Sequence, residues 1–254
     1  MNILYAMVIA FSMYSKIPMP TVEWTKERMR YVFCFFPLIG AVIGGLMIVW
    51  SKVGMRITGN ENLNAAIMML IPVAVTGGIH LDGFLDTSDA LNSYKTTEEK
   101  LEILKDSHSG AFAIIMGLCY FVLSFGAYSA VTVDTMKVLA MGFVLSRALS
   151  GLAVVTFKMA KKNGLAASFS DMAQKRVVGC VMILYVILCF LLMVLTDPVL
   201  GSICFLAAVL VFLFYRNMSY RKFGGITGDL AGFFLQVCEL VMVLAVVIAS
   251  NLLR

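Results

Sequence analysis

The sequence predicts an all-α integral membrane protein that forms a single polytopic domain over residues 1–254. Two features of its composition lead to this fold class: 61% of the residues are hydrophobic and only 14% are charged. A soluble domain is about 45–50% apolar and about 25% charged, so one water-facing globule could not bury this much apolar side chain. The same composition excludes intrinsic disorder, which needs low hydrophobicity and high net charge.

Seven apolar stretches approach the roughly 20 residues that a membrane-spanning helix needs. They cover residues 32–50, 63–79, 109–131, 138–157, 177–195, 199–215 and 229–253. The stretch 3–14 is too short to span a bilayer comfortably, and Pro18 and Pro20 follow it. We therefore expect about seven transmembrane helices and a short N-terminal interfacial or re-entrant helix.

The cysteines and the N-terminal stretch give two smaller expectations. The six cysteines are dispersed through apolar stretches without metal-ligand spacing, which predicts buried, reduced thiols. The first apolar stretch lacks both a basic leader and a small-residue cleavage site, so a removable signal peptide is not expected.

The basic residues predict the orientation in the membrane. With seven spans, fifteen of the 20 lysines and arginines fall on the side of the N-terminus and four on the opposite side. We therefore expect a protein of the cytoplasmic membrane. The positive-inside bias places its N-terminus in the cytoplasm and its C-terminus outside. The net charge of +5 therefore reflects topology, and no nucleic-acid partner is expected.

Three aspartates follow the second predicted span on its cytoplasmic side. Asp82, Asp86 and Asp89 are spaced i, i+4 and i+7, which places them on one stripe of a helix. Such carboxylates repel one another unless protons or cations neutralise them, and hard oxygen ligands favour Mg²⁺ over Zn²⁺. The alternative is a solvated acidic helix end without a bound ion.

Two further groups near these aspartates are candidates for proton transfer. His80 precedes Asp82 and could bind a ligand, move a proton or only form a structural hydrogen bond. Asp106 stands just before the third span, where a carboxylate has either a catalytic role or the common role of starting a helix. Ser107 or Ser109 could cap that helix.

A second acidic motif occurs before the last span. Asp229 follows two glycines and an isoleucine with the same spacing as Asp82 does, which indicates two similar turns that face one site. Close backbone approach at glycines and amides at a helix start both suit phosphate. The candidate phosphate-binding residues here are Gly225, Thr227, Gly228, Asp229 and, deeper in the span, Glu239. The alternative is helix packing through Gly228 and Gly232.

Arg147 lies inside the fourth span, where a charge must face a polar interior or a partner. Pairing with Glu239 or with an anionic ligand would satisfy it, since arginine suits bidentate contact with phosphate.

At these residues the chain resembles the cobalamin synthase family, membrane enzymes that act as adenosylcobinamide-GDP ribazoletransferases. The most specific likeness is the run from Gly77 to Asp89, which is close to the acidic motif of the family. Supporting likenesses, in order along the chain, are Ser15 to Pro18, Phe36 to Gly40, Lys105 to Ser107, Ser146 with Arg147, Gly164 with Leu165, and Gly225 to Asp229 with Glu239. Ser88 stands where family members often have cysteine.

The resemblance implies a Mg²⁺-dependent phosphotransferase of vitamin B12 biosynthesis. Its substrates would be adenosylcobinamide-GDP and α-ribazole or α-ribazole 5′-phosphate, and its products adenosylcobalamin or its 5′-phosphate and GMP. Asp82, Asp86 and Asp89 would hold Mg²⁺, and one of them, Asp106 or His80 would take the hydroxyl proton. Arg147, the turn before Asp229, Glu239 and Lys16 would contact substrate or phosphate. Association into a homo-oligomer is left open.

Two other functional classes also fit parts of this pattern. CDP-alcohol phosphotransferases of lipid synthesis use a similar aspartate-rich helix, but their Ala-Arg step after the first Asp-Gly is replaced here by Phe84 and Leu85. A cation-coupled transporter would place its carboxylates nearer the bilayer midplane.

Overall fold

The computed structural model describes residues 2–106, 108–161, 169 and 171–253, and over these residues the chain forms eleven α-helices and no β-strand. The all-α class predicted from composition is thereby confirmed. The helices are α1 (Asn2–Tyr14), α2 (Lys26–Met29), α3 (Val32–Thr58), α4 (Glu61–Thr76), α5 (Ile79–Asn92), α6 (Thr97–Ile103), α7 (Ala111–Ser129), α8 (Val133–Thr156), α9 (Lys175–Thr196), α10 (Pro198–Phe223) and α11 (Gly228–Leu252).

Six helices of the described chain are long and apolar enough to cross a membrane, and these are α3, α7, α8, α9, α10 and α11. A seventh span exists only if α4 and α5 are taken together, and their axes are bent by 97°. Gly77 and Gly78 form this bend with φ angles of +66° and +82°, a left-handed conformation that favours glycine. The second predicted span therefore ends as α4 at Thr76, and the polar sequence after the bend forms a separate helix outside the six spans.

Helix α8 is the centre of the bundle and packs on α3, α9, α10 and α11. Its contact with α3 is close because glycines of α3 face its backbone: a Cβ on Gly44 would lie 2.5 Å from the carbonyl oxygen of Ala140. Small residues at such crossings let membrane helices approach one another. The fourth predicted span is thus buried by protein on most of its surface.

The outer faces of α7 and α9 carry large exposed apolar side chains, among them Leu118 and Val122 of α7 and Leu184 and Leu191 of α9. Contiguous apolar surface of this kind marks contact with lipid in a polytopic protein. The chain is an integral membrane protein.

All six cysteines are free thiols, but only three of them are buried. Cys119 and Cys180 are exposed on the outer faces of α7 and α9, so the prediction that the thiols are buried is wrong for these two. Lipid-facing positions accept an apolar thiol without cover from protein, which is why the hydrophobic context of the sequence did not distinguish them.

Candidate active site

The three aspartates of the acidic motif lie on one face of α5. Asp82, Asp86 and Asp89 all belong to this helix, and their spacing places them within about 60° around its axis. The opposite face is buried and carries His80, Phe84, Thr87 and Ser88. Helix α5 therefore presents an acidic stripe on one side and packs into the protein with the other.

The start of α11 brings a fourth carboxylate to this stripe. Gly83 of α5 and Gly232 of α11 meet where the helices cross, and a Cβ on Gly83 would lie 2.7 Å from the backbone carbonyl oxygen of Asp229. Phe84 stacks on Phe233 of α11 with ring centroids 5.6 Å apart, which holds the same crossing from the buried side. The expectation that two similar glycine turns face one site agrees with this geometry.

The four carboxylates share one electrostatic neighbourhood. Partial burial, and then the charges of Asp82, Asp229 and Asp89, raise the pKa of Asp86 to about 6. No lysine, arginine or histidine in the described ranges forms an ion pair with any of the four. Among the described residues their negative charge has no paired cation, an arrangement that suits a cationic ligand.

The donor set fits Mg²⁺ better than a softer metal, because it consists of carboxylate oxygens. No three His, Cys, Asp or Glu side chains of the described chain form a ready-made metal cage. Mg²⁺ usually needs only one or two carboxylates and completes its coordination with water and phosphate oxygens, so this finding does not conflict with such a site. Gly110 lies directly against the Asp89 carboxylate, and any side chain there would displace it.

His80 lies on the opposite face of α5 from the aspartates. Its ring packs between Tyr14 and Phe36, with centroid separations of 6.2 Å and 5.8 Å, and only 5% of the residue is exposed. Its Nε2 atom has no hydrogen-bond partner among the described residues. The structure thus separates His80 from the acidic stripe.

Asp106 lies in the exposed connection between α6 and α7. It accepts hydrogen bonds from the backbone N–H of His108 at 3.0 Å and from the imidazole of His108 at 2.8 Å. These bonds, led by the backbone one, hold the pKa of Asp106 below its usual value. Gly110 is the N-cap of α7 and no side chain caps it, so Ser109 is not the cap; Ser107 lies outside the described residues.

Arg147 and Glu239 are buried and pair with each other. Nη1 of Arg147 donates to Oε1 of Glu239 at 2.8 Å, and the Ser146 hydroxyl donates to the same oxygen at 2.8 Å. The pair joins α8 to α11 inside the bundle and is one of the two partnerships that the sequence allowed for Arg147. A direct contact of either side chain with phosphate stays a prediction.

The remaining candidates lie at two glycine turns. Thr227 is the N-cap of α11, and its hydroxyl accepts a hydrogen bond from the backbone N–H of Leu230 at 3.2 Å. Gly228 is exposed at the first helical position, and Gly225 precedes it in a buried turn. The side chain of Lys16 lies over Gly77 at the bend between α4 and α5. The backbone N–H of Lys16 donates to the carbonyl of Val75 at 2.8 Å. Gly164 and Leu165 lie outside the described residues.

One residue near the site was missed by the sequence reasoning. Lys161 lies within electrostatic reach of Asp229, in the connection after α8. The basic residues of this connection served only to orient the chain, because nothing in their local sequence ties one of them to a carboxylate 68 positions away.

The chain is similar to the members of one protein family over nearly its whole length. The family model for cobalamin-5-phosphate synthase matches residues 6–247. A protein of Lachnoclostridium phytofermentans is 50% identical over 253 residues, covering 100% of this chain and 97% of its own. Relatives from Clostridium perfringens strain 13 and Clostridium botulinum strain Alaska E43 are 33% and 31% identical, each covering 94% of this chain and 96% of its own.

All three relatives carry the name adenosylcobinamide-GDP ribazoletransferase. No solved structure matches the chain.

Proposed function

Since the chain belongs to the cobalamin-5-phosphate synthase family, a family of enzymes, we propose that it acts as an adenosylcobinamide-GDP ribazoletransferase with Mg²⁺ as its cofactor. The observation that supports the cofactor and the site is the group of four carboxylates at the crossing of α5 and α11, none of which forms an ion pair with a described residue. A diphosphate substrate could approach four such carboxylates only with metal cations between them.

The reaction is a displacement at phosphorus. The 3′-hydroxyl of α-ribazole, or of α-ribazole 5′-phosphate, attacks the phosphorus linked to cobinamide and loses its proton. The bond from this phosphorus to the bridging oxygen breaks, and GMP leaves with that oxygen. The products are adenosylcobalamin, or its 5′-phosphate, and GMP.

Asp82, Asp86, Asp89 and Asp229 are the residues that would hold Mg²⁺. When bound, the metal would neutralise the negative charge on the phosphate oxygens. We assign acceptance of the hydroxyl proton to an aspartate of this group. His80 is turned to the buried face of α5, and Asp106 is a weakened base because His108 hydrogen-bonds to its carboxylate.

The first turn of α11 would receive phosphate at the backbone N–H of Gly228, an exposed residue, and at the hydroxyl of Thr227. Arg147 and Glu239 would act as positioning residues, since their ion pair ties α11 to α8 and so holds Asp229 in place. Lys16 would contact substrate at the bend that precedes α5.

We place this site on the cytoplasmic side of the cytoplasmic membrane, as the distribution of basic residues predicts when the bent pair of α4 and α5 is counted as the seventh crossing. A C-terminal alkaline phosphatase fusion should be active and a C-terminal green fluorescent protein fusion dark. The reverse result would overturn this orientation.

The activity itself is tested with purified protein in detergent, adenosylcobinamide-GDP and α-ribazole. We expect GMP release that stops on chelation and returns with Mg²⁺. Release that survives chelation would overturn the cofactor assignment. If no GMP is released and the protein instead transfers the phosphoalcohol group of a CDP-alcohol, it is a phosphotransferase of lipid synthesis.

A further inference from the structure

The connection after α8 is fixed to the turn before α11 by backbone hydrogen bonds. The N–H of Ala160 donates to the carbonyl of Ile226, and the N–H of Ile226 donates to the carbonyl of Lys158, both at 2.9 Å. A Cβ on Gly225 would lie 2.5 Å from that Lys158 carbonyl oxygen, so only glycine permits this approach. Residues 158–161 therefore hold a defined position relative to the start of α11.

The ammonium group of Lys161 is anchored beside the site. Its Nζ donates to the backbone carbonyl of Leu101 in α6 at 2.7 Å, and the residue is half-buried. An ammonium group has three donors, and the described residues accept only this one hydrogen bond from it, so two are available to another partner. No carboxylate of the described chain lies within ion-pair distance of it.

The charged neighbours of Lys161 do not neutralise it. Lys105 already pairs with Glu102 at 2.6 Å, and Asp229 acts on Lys161 without a direct contact. Burial and Lys105 lower the pKa of Lys161, whereas Glu102 and Asp229 oppose this shift. A partly desolvated, anchored cation with free donors beside a cluster of carboxylates is suited to an anion that spans both.

We propose that Lys161 binds a non-bridging phosphate oxygen of the nucleoside diphosphate part of the substrate, on the Asp229 side of the site. This inference rests on the proposed function. If Lys161 has this role, the affinity for the nucleotide depends on its positive charge.

The test compares Lys161→Gln and Lys161→Arg with Lys175→Gln, which removes an exposed lysine at the start of α9. Lys161→Gln should raise KM for adenosylcobinamide-GDP and the inhibition constant of GMP about tenfold or more, the size expected for one charge-assisted hydrogen bond. KM for α-ribazole should stay unchanged. Lys161→Arg keeps the positive charge, so both constants should stay within about threefold of the wild-type values. Lys175→Gln should match wild type in both.

Other results separate this proposal from the proposed function. If the wild type releases GMP and Lys161→Gln leaves both nucleotide constants unchanged, Lys161 does not bind phosphate. Equal losses in Lys161→Gln and Lys161→Arg, with a lower unfolding temperature, would assign it a structural role instead. If the wild type releases no GMP, calorimetry with GDP and Mg²⁺ decides: weaker binding in Lys161→Gln supports the site, and equal binding overturns it.

Discussion

Gly232 of α11 lies directly against Gly83 of α5, and a Cβ on Gly232 would come 3.3 Å from the Cα of Gly83. The same Cβ would lie 2.9 Å from the carbonyl oxygen of His80. This backbone contact brings Asp229 beside the acidic stripe of α5. A glycine pair that looks like simple helix packing thereby assembles the candidate site from two distant parts of the chain.

Replacement of Gly232 with valine should separate the two helices. Overpacking of this kind costs about 1–3 kcal/mol of stability, and a displacement of about 1 Å at a reacting group can cost about 100-fold in rate. We expect kcat/KM for GMP release to fall by about that factor while the helical content measured by circular dichroism is retained. Gly45→Val is the matched control, because no atom lies within 4 Å of a Cβ there. Wild-type kinetics in Gly232→Val would contradict the role of this crossing.

Asp229 should behave as a member of the carboxylate group. Asp229→Asn and Asp82→Asn keep the side-chain volume and remove a charge, so each should lower kcat/KM about 100-fold or more and shift the Mg²⁺ concentration needed for activity. Titration of GMP release with Mg²⁺ measures both effects. Asp134→Asn, an exposed aspartate in the first turn of α8 that pairs with Lys137, is the control. An unchanged Mg²⁺ requirement in Asp229→Asn would leave only the three aspartates of α5 as metal ligands.

Glu239→Gln should destabilise the bundle, because it leaves Arg147 charged and uncompensated in the interior. Breaking a buried ion pair from one side costs about 3–5 kcal/mol, whereas replacing both partners with apolar residues is often close to neutral. Unfolding in mixed micelles should therefore show a large loss for Glu239→Gln and a smaller one for the double variant Arg147→Met with Glu239→Leu. A Glu239→Gln variant that is fully stable but inactive would instead support a direct role in binding phosphate.

Asp106→Asn should keep kcat within about threefold of wild type. Hydrogen bonds from His108 hold the pKa of this exposed carboxylate low, and a base with a low pKa accepts a proton poorly at neutral pH. Single-turnover measurement of GMP release isolates the chemical step. A loss of about 100-fold there, with unchanged substrate affinity, would restore Asp106 as the proton acceptor.

Local features of the sequence were enough to predict the α5 stripe. The spacing of Asp82, Asp86 and Asp89 requires only a helix to place them on one stripe. A turn at Gly77 and Gly78 was predicted from its likeness to the turn before Asp229, but the 97° angle between α4 and α5 was not, because two glycines at the end of an apolar run do not show how far the helix axis bends. The sequence also left Arg147 with two potential partners, since Glu239 is 92 positions away.

The sequence by itself determined the membrane class, the approximate spans and the acidic stripe, because each depends on composition or on the period of one helix. The tertiary structure decided which distant residues meet: Asp229 with the α5 aspartates, Arg147 with Glu239, and Lys161 beside Asp229. The meetings of Asp229 with the α5 aspartates and of Lys161 with Asp229 depend on how closely two backbones approach, which the glycines at the α5 and α11 crossing and Gly225 allow. A single glycine in the sequence carries no information about its partner, so only the folded bundle reveals the site.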